Sequence, residues 1–186
     1  MPEGMQRLRW SARTAGAVVG SAVGDALGAP FEFGAAGVFS ARFPDSGAAD
    51  EMCGGGGWDP GEATDDTQMA VLVAESLLER GEPDLPDIFA RFQRWAASGP
   101  KDAGLQTEDV LTNGMPWDRA AAVHFQVNRR AADNGSLMRA TTSAVPFAYA
   151  GQPLAVPHVP SRPSSPCSLT RAHPANHKLA SWIPLQ

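Results

Sequence analysis

Glycines spaced four residues apart constrain the fold of this chain more than any other feature of its sequence. They recur from Gly16 to Gly28, and aliphatic residues recur beside them at Val19, Val23 and Leu27. On a period of 3.6 residues, both sets form neighbouring stripes along one helix. Because glycine weakens a helix interior by about 1 kcal/mol relative to alanine, the stripe predicts a central helix against which another backbone packs closely.

The rest of the first 151 residues also has the pattern of helices joined by polar loops. Five further segments carry apolar residues at helical spacing, from about Thr64 to Gly81, Pro86 to Ala97, near Thr107, Trp117 to Arg130 and Ser136 to Tyr149. Thr64 and Asp84 are good N-caps for the first two, and Gly81 is a typical stop. Pro146 is expected to kink or end the last helix. No stretch alternates with a period of two, so the sequence predicts an all-α fold.

Composition narrows the classes of function. The net charge is −5 and no basic run occurs, which argues against a nucleic-acid-binding surface. Cys53 and Cys167 lack a Cys-x-x-Cys spacing, so a reducing cytoplasm is the simpler prediction than a disulfide scaffold. Residues 14–31 follow three arginines and loosely resemble an exported signal segment, an alternative that stays open. Asp25 within that stretch argues against a membrane span.

The last part of the sequence differs from the rest. Residues 152–186 contain seven of the 16 prolines, and no Asp or Glu follows Asp133. This pattern is typical of a disordered or low-complexity segment. A change of reading frame or a truncated copy of a longer gene would give the same pattern. The sequence therefore predicts one domain over residues 1–151 and a proline-rich tail over residues 152–186.

Thr64, Asp65 and Asp66 form the first group with chemical potential. Two adjacent carboxylates and a hydroxyl offer the hard oxygen ligands that Mg²⁺, Mn²⁺ or Ca²⁺ prefer. The same residues also suit a helix start, where a threonine caps the first turn and acids face the positive end of the dipole. Taken alone, the segment favours the helix cap over the metal site.

Asp25 and Glu32 form a second group, at the exit of the glycine-striped helix. An acid in the last turn of an apolar helix stands at the unfavourable end of the dipole, so Asp25 needs a partner or a function. Glu32 follows in the next loop. The alternative is a capped helix exit with one solvated glutamate.

Two further segments have an ordinary structural interpretation beside a functional one. Asp102 lies in a loop with Gly104, where turn chemistry is the simpler explanation. Residues 134–139 read Asn-Gly-Ser-Leu-Met-Arg, a turn and helix start whose N–H groups, hydroxyl and guanidinium suit a diphosphate. The glycine run 54–57 lacks a following Lys-Ser or Lys-Thr, so it predicts a turn and no phosphate loop. None of the four histidines has ligand spacing, and we expect all four to be incidental.

These segments, in this order, resemble the motifs of the ADP-ribosylglycohydrolase family, which includes the dinitrogenase reductase-activating glycohydrolases. The matching stretches are residues 24–28 with Pro30 and Glu32, residues 61–69, residues 102–104 and residues 134–139. The resemblance covers about residues 12–151. Its most specific parts are the Thr-Asp-Asp and Asn-Gly-Ser-Leu-Met-Arg segments.

The resemblance implies an all-α fold with a cleft for two Mg²⁺ or Mn²⁺ ions, and hydrolysis of the bond that joins ADP-ribose to a modified group. By position, it implies that Thr64, Asp65 and Asp66 are metal ligands. Glu32 is then an acid/base or gate beside the metals, and Asp102 lies near the scissile ribose. Substrate contacts are carried over to Asp25, Asn134, Gly135, Ser136, Met138 and Arg139. The implied partner is an ADP-ribosylated protein or a small ADP-ribosyl substrate, bound by a cytoplasmic monomer that contacts neither nucleic acid nor membrane.

The chain departs from the family pattern in its acidic residues. Family members are longer and bring an Asp-x-Asp-Thr segment from a late helix, whereas nothing acidic follows Asp133 here. At most a partial metal site is therefore expected, in a truncated hydrolase with weak or no turnover. Two alternatives are a non-catalytic module that binds ADP-ribose or a nucleotide, and an unstable gene remnant. The linkage that is cleaved, to arginine, serine or another group, stays open.

Overall fold

The computed structural model describes the backbone of residues 3–44, 51–130 and 133–149, and the side chains of residues 11–44, 51–130 and 133–145. These ranges form a short 3-10 helix at Ala29–Phe31 and eight α-helices: α1 Glu3–Gly28, α2 Val38–Arg42, α3 Asp65–Arg80, α4 Leu85–Ala97, α5 Leu105–Thr112, α6 Ala120–Asn128, α7 Gly135–Met138 and α8 Ala140–Tyr149. Within them the only β pairing is an isolated bridge between Gly55 and Trp58. The all-α prediction is confirmed. The predicted boundary at residues 151–152 and the tail lie outside the described residues.

The ends of α3 and α4 follow their sequence signals. Thr64 caps α3 in an extended conformation, and its side chain accepts the N–H of Asp66. Gly81 ends α3 with φ of 72°, a conformation that glycine adopts without a steric penalty. Asp84 caps α4 by accepting the N–H of Asp87. Both helices therefore begin and end where the sequence predicts.

The core lies between α3 and the helices that follow it. Helix α3 packs against α1, α4, α7 and α8, and α5 packs against α4 and α6. The side chains at the centre come from four helices, and the largest fully buried apolar ones are Phe92, Met69 and Val110. Full burial of a side chain of this size contributes roughly 1.5–3 kcal/mol. The core therefore fixes α3, whose first turn carries the paired aspartates.

The glycine stripe of α1 is not covered by any described residue. A Cβ added at Gly16, Gly20, Gly24 or Gly28 would meet no atom of the described chain within 4 Å. Val19 beside the stripe is 60% exposed. The prediction that another backbone approaches this face is therefore wrong for the part of the chain that the structure describes. Helix α1 packs on α3 and α8, and a groove of about 360 Å³ lies between the three helices.

The helices nearest the carboxyl end differ from the predicted ones in their limits. The single helix predicted from Ser136 to Tyr149 is divided into α7 and α8 at Arg139, whose φ of −91° and ψ of −6° depart from helical values. Pro146 lies inside α8 and does not end it. Arg129 stops α6 with φ of 55°. None of the helices in the described ranges has the length and apolarity needed to cross a membrane.

Candidate active site

A cleft of about 820 Å³ lies where the loop after α1, the start of α3, the loop before α5, helices α5 and α6 and the start of α7 meet. Six acidic residues line it: Glu32, Asp65, Asp66, Asp102, Asp109 and Asp133. Four of them are predicted site residues from three separate segments. Asn134, Gly135 and Met138 also line the cleft, whereas Asp25, Thr64, Ser136 and Arg139 are not among its lining residues.

Asp25 fastens α1 to the first turn of α3. Its Oδ1 accepts the hydroxyl of Thr64 at 2.6 Å, and its Oδ2 accepts the backbone N–H of Thr64 at 3.0 Å. The same Oδ2 accepts the N–H of Thr67 at 3.2 Å and its hydroxyl at 2.5 Å. An acid in the last turn of a helix needs a partner, and for Asp25 that partner is the start of α3. Asp25 sets the position of the two aspartates that follow Thr64.

Thr64 is 3% exposed, and its hydroxyl is used within the protein. The hydroxyl donates to Asp25 and accepts the N–H of Asp66 at 3.3 Å. The structure thus shows the capping role that the sequence allowed for this residue. Metal ligation by Thr64 stays a prediction. Only the one remaining lone pair of its hydroxyl oxygen is available to bind an ion.

The cleft carboxylates raise one another's pKa. The pKa of Asp65 is raised to about 6, first by burial and then by the charges of Asp66 and Asp102. Burial also raises the pKa of Glu32, to which the charge of Asp102 adds. The pKa of Asp66 is raised too, again chiefly by burial. Burial and like charge together make this a cluster that favours either a bound proton or a bound cation.

Asp102 is held in place by its own turn and by the preceding lysine. Its Oδ1 accepts the N–H of Gly104 at 2.9 Å, the turn bond that the sequence predicts. Lys101 pairs with Glu62 at 2.6 Å and donates to the carbonyl of Gly57 at 3.2 Å. That carbonyl belongs to the glycine turn closed by Gly55 and Trp58, so the predicted turn over residues 54–57 is present. These contacts tie the loop of Asp102 to the segment before α3.

Arg139 lies in the core and is 5% exposed. Its Nη1 lies 3.1 Å from the sulfur of Met69, and its guanidinium carbon lies 5.0 Å from the centre of the Phe92 ring. Burial lowers the pKa of Arg139 to about 10, and the charges of Asp65 and Asp66 oppose that shift. The predicted substrate contact by this guanidinium therefore has no geometric support. From its buried position, the Arg139 guanidinium interacts electrostatically with Asp65 and Asp66.

Several cleft residues were not predicted from the sequence. Asp133 precedes the Asn-Gly segment and lines the cleft, and only this adjacency could have revealed it. His124, which we expected to be incidental, lines the cleft from α6 together with Asn128, and Arg130 lines it just after the end of α6. His124 Nδ1 makes a short hydrogen bond to Asp109 on α5. The spacing of four between His124 and Asn128 places both on one face of a helix, but it gives no sign of the partner on α5.

Asp65 and Asp66 are the side chains best suited to hold a divalent ion. Carboxylate oxygens are the ligands that Mg²⁺ and Mn²⁺ prefer. Burial raises the pKa of both aspartates, and the charge of Arg139 only partly opposes that shift at Asp66. Among the described residues, no three His, Cys, Asp or Glu side chains lie close enough together to hold an ion. The two aspartates thus fit such an ion in ligand type and charge, and they would form only part of its coordination shell.

Comparison with known proteins identifies the family of this chain. The sequence profile of the ADP-ribosylglycohydrolase family matches residues 6–180, which extends past the predicted boundary at residues 151–152. The chain is 35% identical over 136 residues to the ADP-ribosyl-dinitrogen reductase glycohydrolase of Rhodospirillum rubrum, covering 72% of this chain and 44% of that protein. It is 35% identical over 116 residues to the ADP-ribosylarginine hydrolase Tri1 of Serratia proteamaculans, and the match covers 55% of this chain and 29% of that protein. The chain spans less than half the length of these curated relatives, and it belongs to the ADP-ribosylglycohydrolase family.

Proposed function

We propose that the cleft binds an ADP-ribosyl group, with ADP-ribosyl-arginine as the first substrate to test, and that it belongs to a hydrolase that releases ADP-ribose. The observation that carries the proposal is the convergence of Glu32, Asp65, Asp66 and Asp102 on one cleft. The names of the relatives support the substrate class. We further propose that this chain alone turns over slowly, since every acidic residue lies in the first 133 positions.

Cleavage of a ribosyl bond passes through an oxocarbenium-like state, in which one carboxyl group moves a proton while water attacks the anomeric carbon. Glu32 is suited to the proton transfer, because burial and the charge of Asp102 raise its pKa. In this scheme Glu32 takes a proton from the attacking water, whose oxygen bonds to the anomeric carbon. The bond from that carbon to the leaving nitrogen or oxygen breaks, its electron pair stays on the leaving atom, and Glu32 returns the proton to that atom. Asp102 is held by its turn bond and stabilises the positive charge that develops on the ribose.

A divalent ion would be held by Asp65 and Asp66, with Thr64 as a predicted further ligand. Such an ion supplies Lewis-acid polarisation when it is bound. Asp25 forms four hydrogen bonds with Thr64 and Thr67, which flank Asp65 and Asp66. These bonds hold the first turn of α3 in place before a ligand arrives. Because their geometry is set in advance, less of the binding energy is used to order the site.

Calorimetry with ADP-ribose, with and without Mn²⁺, tests the proposal on the full chain. We expect binding that Mn²⁺ strengthens, and loss of the Mn²⁺ effect in Asp66→Asn. Asp118→Asn is the matched control, since this exposed acid is not among the cleft-lining residues. Absence of ADP-ribose binding with and without Mn²⁺ would refute the proposed function.

Release of ADP-ribose from ADP-ribosyl-arginine in the presence of Mn²⁺ tests the rate. Slow release that Glu32→Gln abolishes supports a weak hydrolase. Mn²⁺-dependent binding without any release supports the non-catalytic module instead. Fast release by the chain alone would contradict the slow turnover proposed here. A cooperative thermal transition would count against an unstable remnant.

A further inference from the structure

The cleft has few positive charges to meet an anionic ligand. Among its described lining residues Arg130 is the only Lys or Arg, whereas six of the lining residues are acidic. Arg130 is exposed and forms no ion pair or hydrogen bond with any other described residue. A cation that lines a cleft without a protein partner is available to a ligand, since the neighbouring carboxylates leave its donors unused.

The other cation near the site is already engaged. Arg139 is 5% exposed and is packed between the sulfur of Met69 and the ring of Phe92. To reach a ligand, this guanidinium would have to leave its buried contacts with Met69 and Phe92. Arg130 therefore remains as the side chain in the described cleft that can pair with a diphosphate.

His124 lines the same part of the cleft in a fixed orientation. Its side chain is 9% exposed, and Nδ1 is held by the carboxylate of Asp109. Asn128 donates to the backbone carbonyl of His124 at 3.2 Å and so supports the same turn of α6. With Nδ1–H given to Asp109, the ring has Nε2 left for a ligand, and a neutral ring accepts one hydrogen bond there.

We propose that Arg130 binds the diphosphate of the ligand and that His124 Nε2 accepts a hydrogen bond from a hydroxyl or amino group of the adjoining nucleoside. We call these two residues the α6 subsite. The assignment rests on the proposed function for the identity of the ligand. It adds the side chains that recognise the nucleoside diphosphate part, whereas the carboxylates act on the ribose that is cleaved.

Two probes separate the roles of the two residues. Inorganic pyrophosphate reports on the anion contact alone, and its binding is followed by phosphorus NMR with the metal chelated. ADP-ribose reports on both contacts and is followed by calorimetry with Mn²⁺. Arg130→Gln should weaken both ligands about tenfold, because it removes a charge-assisted contact. Arg130→Lys should restore part of the loss, since it keeps the charge without the planar fork.

His124→Phe should weaken ADP-ribose about fivefold and leave pyrophosphate binding unchanged, because it removes only the nucleoside contact. Arg119→Gln is the matched control, since it removes an exposed arginine of the same α6 region that is not a cleft-lining residue. Equal thermal unfolding temperatures of Arg130→Gln and Arg119→Gln would show that the comparison is free of folding effects.

The outcomes distinguish this inference from the proposed function. Loss of pyrophosphate binding in Arg130→Gln and not in Arg119→Gln supports the α6 subsite, even if the parent chain binds no ADP-ribose and the proposed function fails. Equal pyrophosphate affinities in the two variants, or no pyrophosphate binding by the parent chain, would overturn the diphosphate assignment. An unchanged ADP-ribose affinity in His124→Phe would overturn the nucleoside contact.

Discussion

Replacement of Asp25 by alanine is expected to destabilise the whole domain. Asp25 accepts four hydrogen bonds from Thr64 and Thr67, two from backbone N–H groups and two from hydroxyls. A net value of roughly 1.5–3 kcal/mol is typical of one hydrogen bond to a charged group. These four share two oxygens of a half-buried carboxylate, so their contributions are not additive. We therefore expect a loss of about 3 kcal/mol, from which a fall in Tm of roughly 6–12 °C follows for a chain of this size.

The assay is urea and thermal unfolding followed by far-ultraviolet circular dichroism at neutral pH. Asp25→Asn should cost only about 1 kcal/mol, because the amide oxygen can replace the Oδ2 that accepts three of the bonds. Asp118→Ala, a change of an exposed acid, should stay within about 0.5 kcal/mol of the parent chain. If Asp25→Ala also falls within that range, the conclusion that Asp25 fastens α1 to α3 is wrong.

Three further substitutions test the electrostatics and the backbone. The pKa of Asp65 is raised from 3.8 to about 6 in the folded state, so the folded chain binds more protons than the unfolded chain within that window. The contribution of Asp65 to the free energy of unfolding should therefore fall as the pH rises from 4 to 6. Asp65→Asn should stabilise the metal-free chain by about 1 kcal/mol at pH 7.5 after solvent screening, with no gain at pH 3. A gain that does not depend on pH would contradict this. Gly104→Ala should cost roughly 1–2 kcal/mol in urea, because Gly104 has φ of 64° and its new Cβ would lie 3.2 Å from Asp133. Gly135→Ala, whose nearest contact is 3.4 Å, is the control and should cost less. Gly20→Ala should raise the free energy of unfolding by about 0.5–1 kcal/mol, and a loss would show that another segment packs on the glycine stripe.

Local signals in the sequence were sufficient for the helices that carry the site. Thr64 and Gly81 have the side chain and the backbone freedom that a helix needs at its two ends, and α3 begins and ends at these residues. The turn at Asp102 was equally local, since its bond joins residues two apart. Such features could be predicted because their partners lie within one or two turns of the chain.

The roles of individual polar residues were less predictable. Asp25 and Arg139 look alike in the sequence, as charged residues within segments that resemble family motifs, and both were assigned to substrate. Asp25 instead accepts hydrogen bonds from Thr64 and Thr67, which lie 39 and 42 residues further along the sequence. Arg139 instead meets Met69, at a separation of 70. No pattern of spacing contains such partners, because they are chosen by packing between helices.

The sequence by itself determined the helical class and the start of α3, and the resemblance of its segments to family motifs predicted a carboxylate-rich site. These depend on periodicity, on capping chemistry and on residue type, which are read over a few neighbouring positions. The tertiary structure alone decided which acids share the cleft, that Asp65 and Glu32 have raised pKa values, and that His124 and Arg130 stand beside them. The physical reason is that burial and Coulomb interactions depend on distance in space, and that distance is set only when α3, α5, α6 and α7 pack around one core.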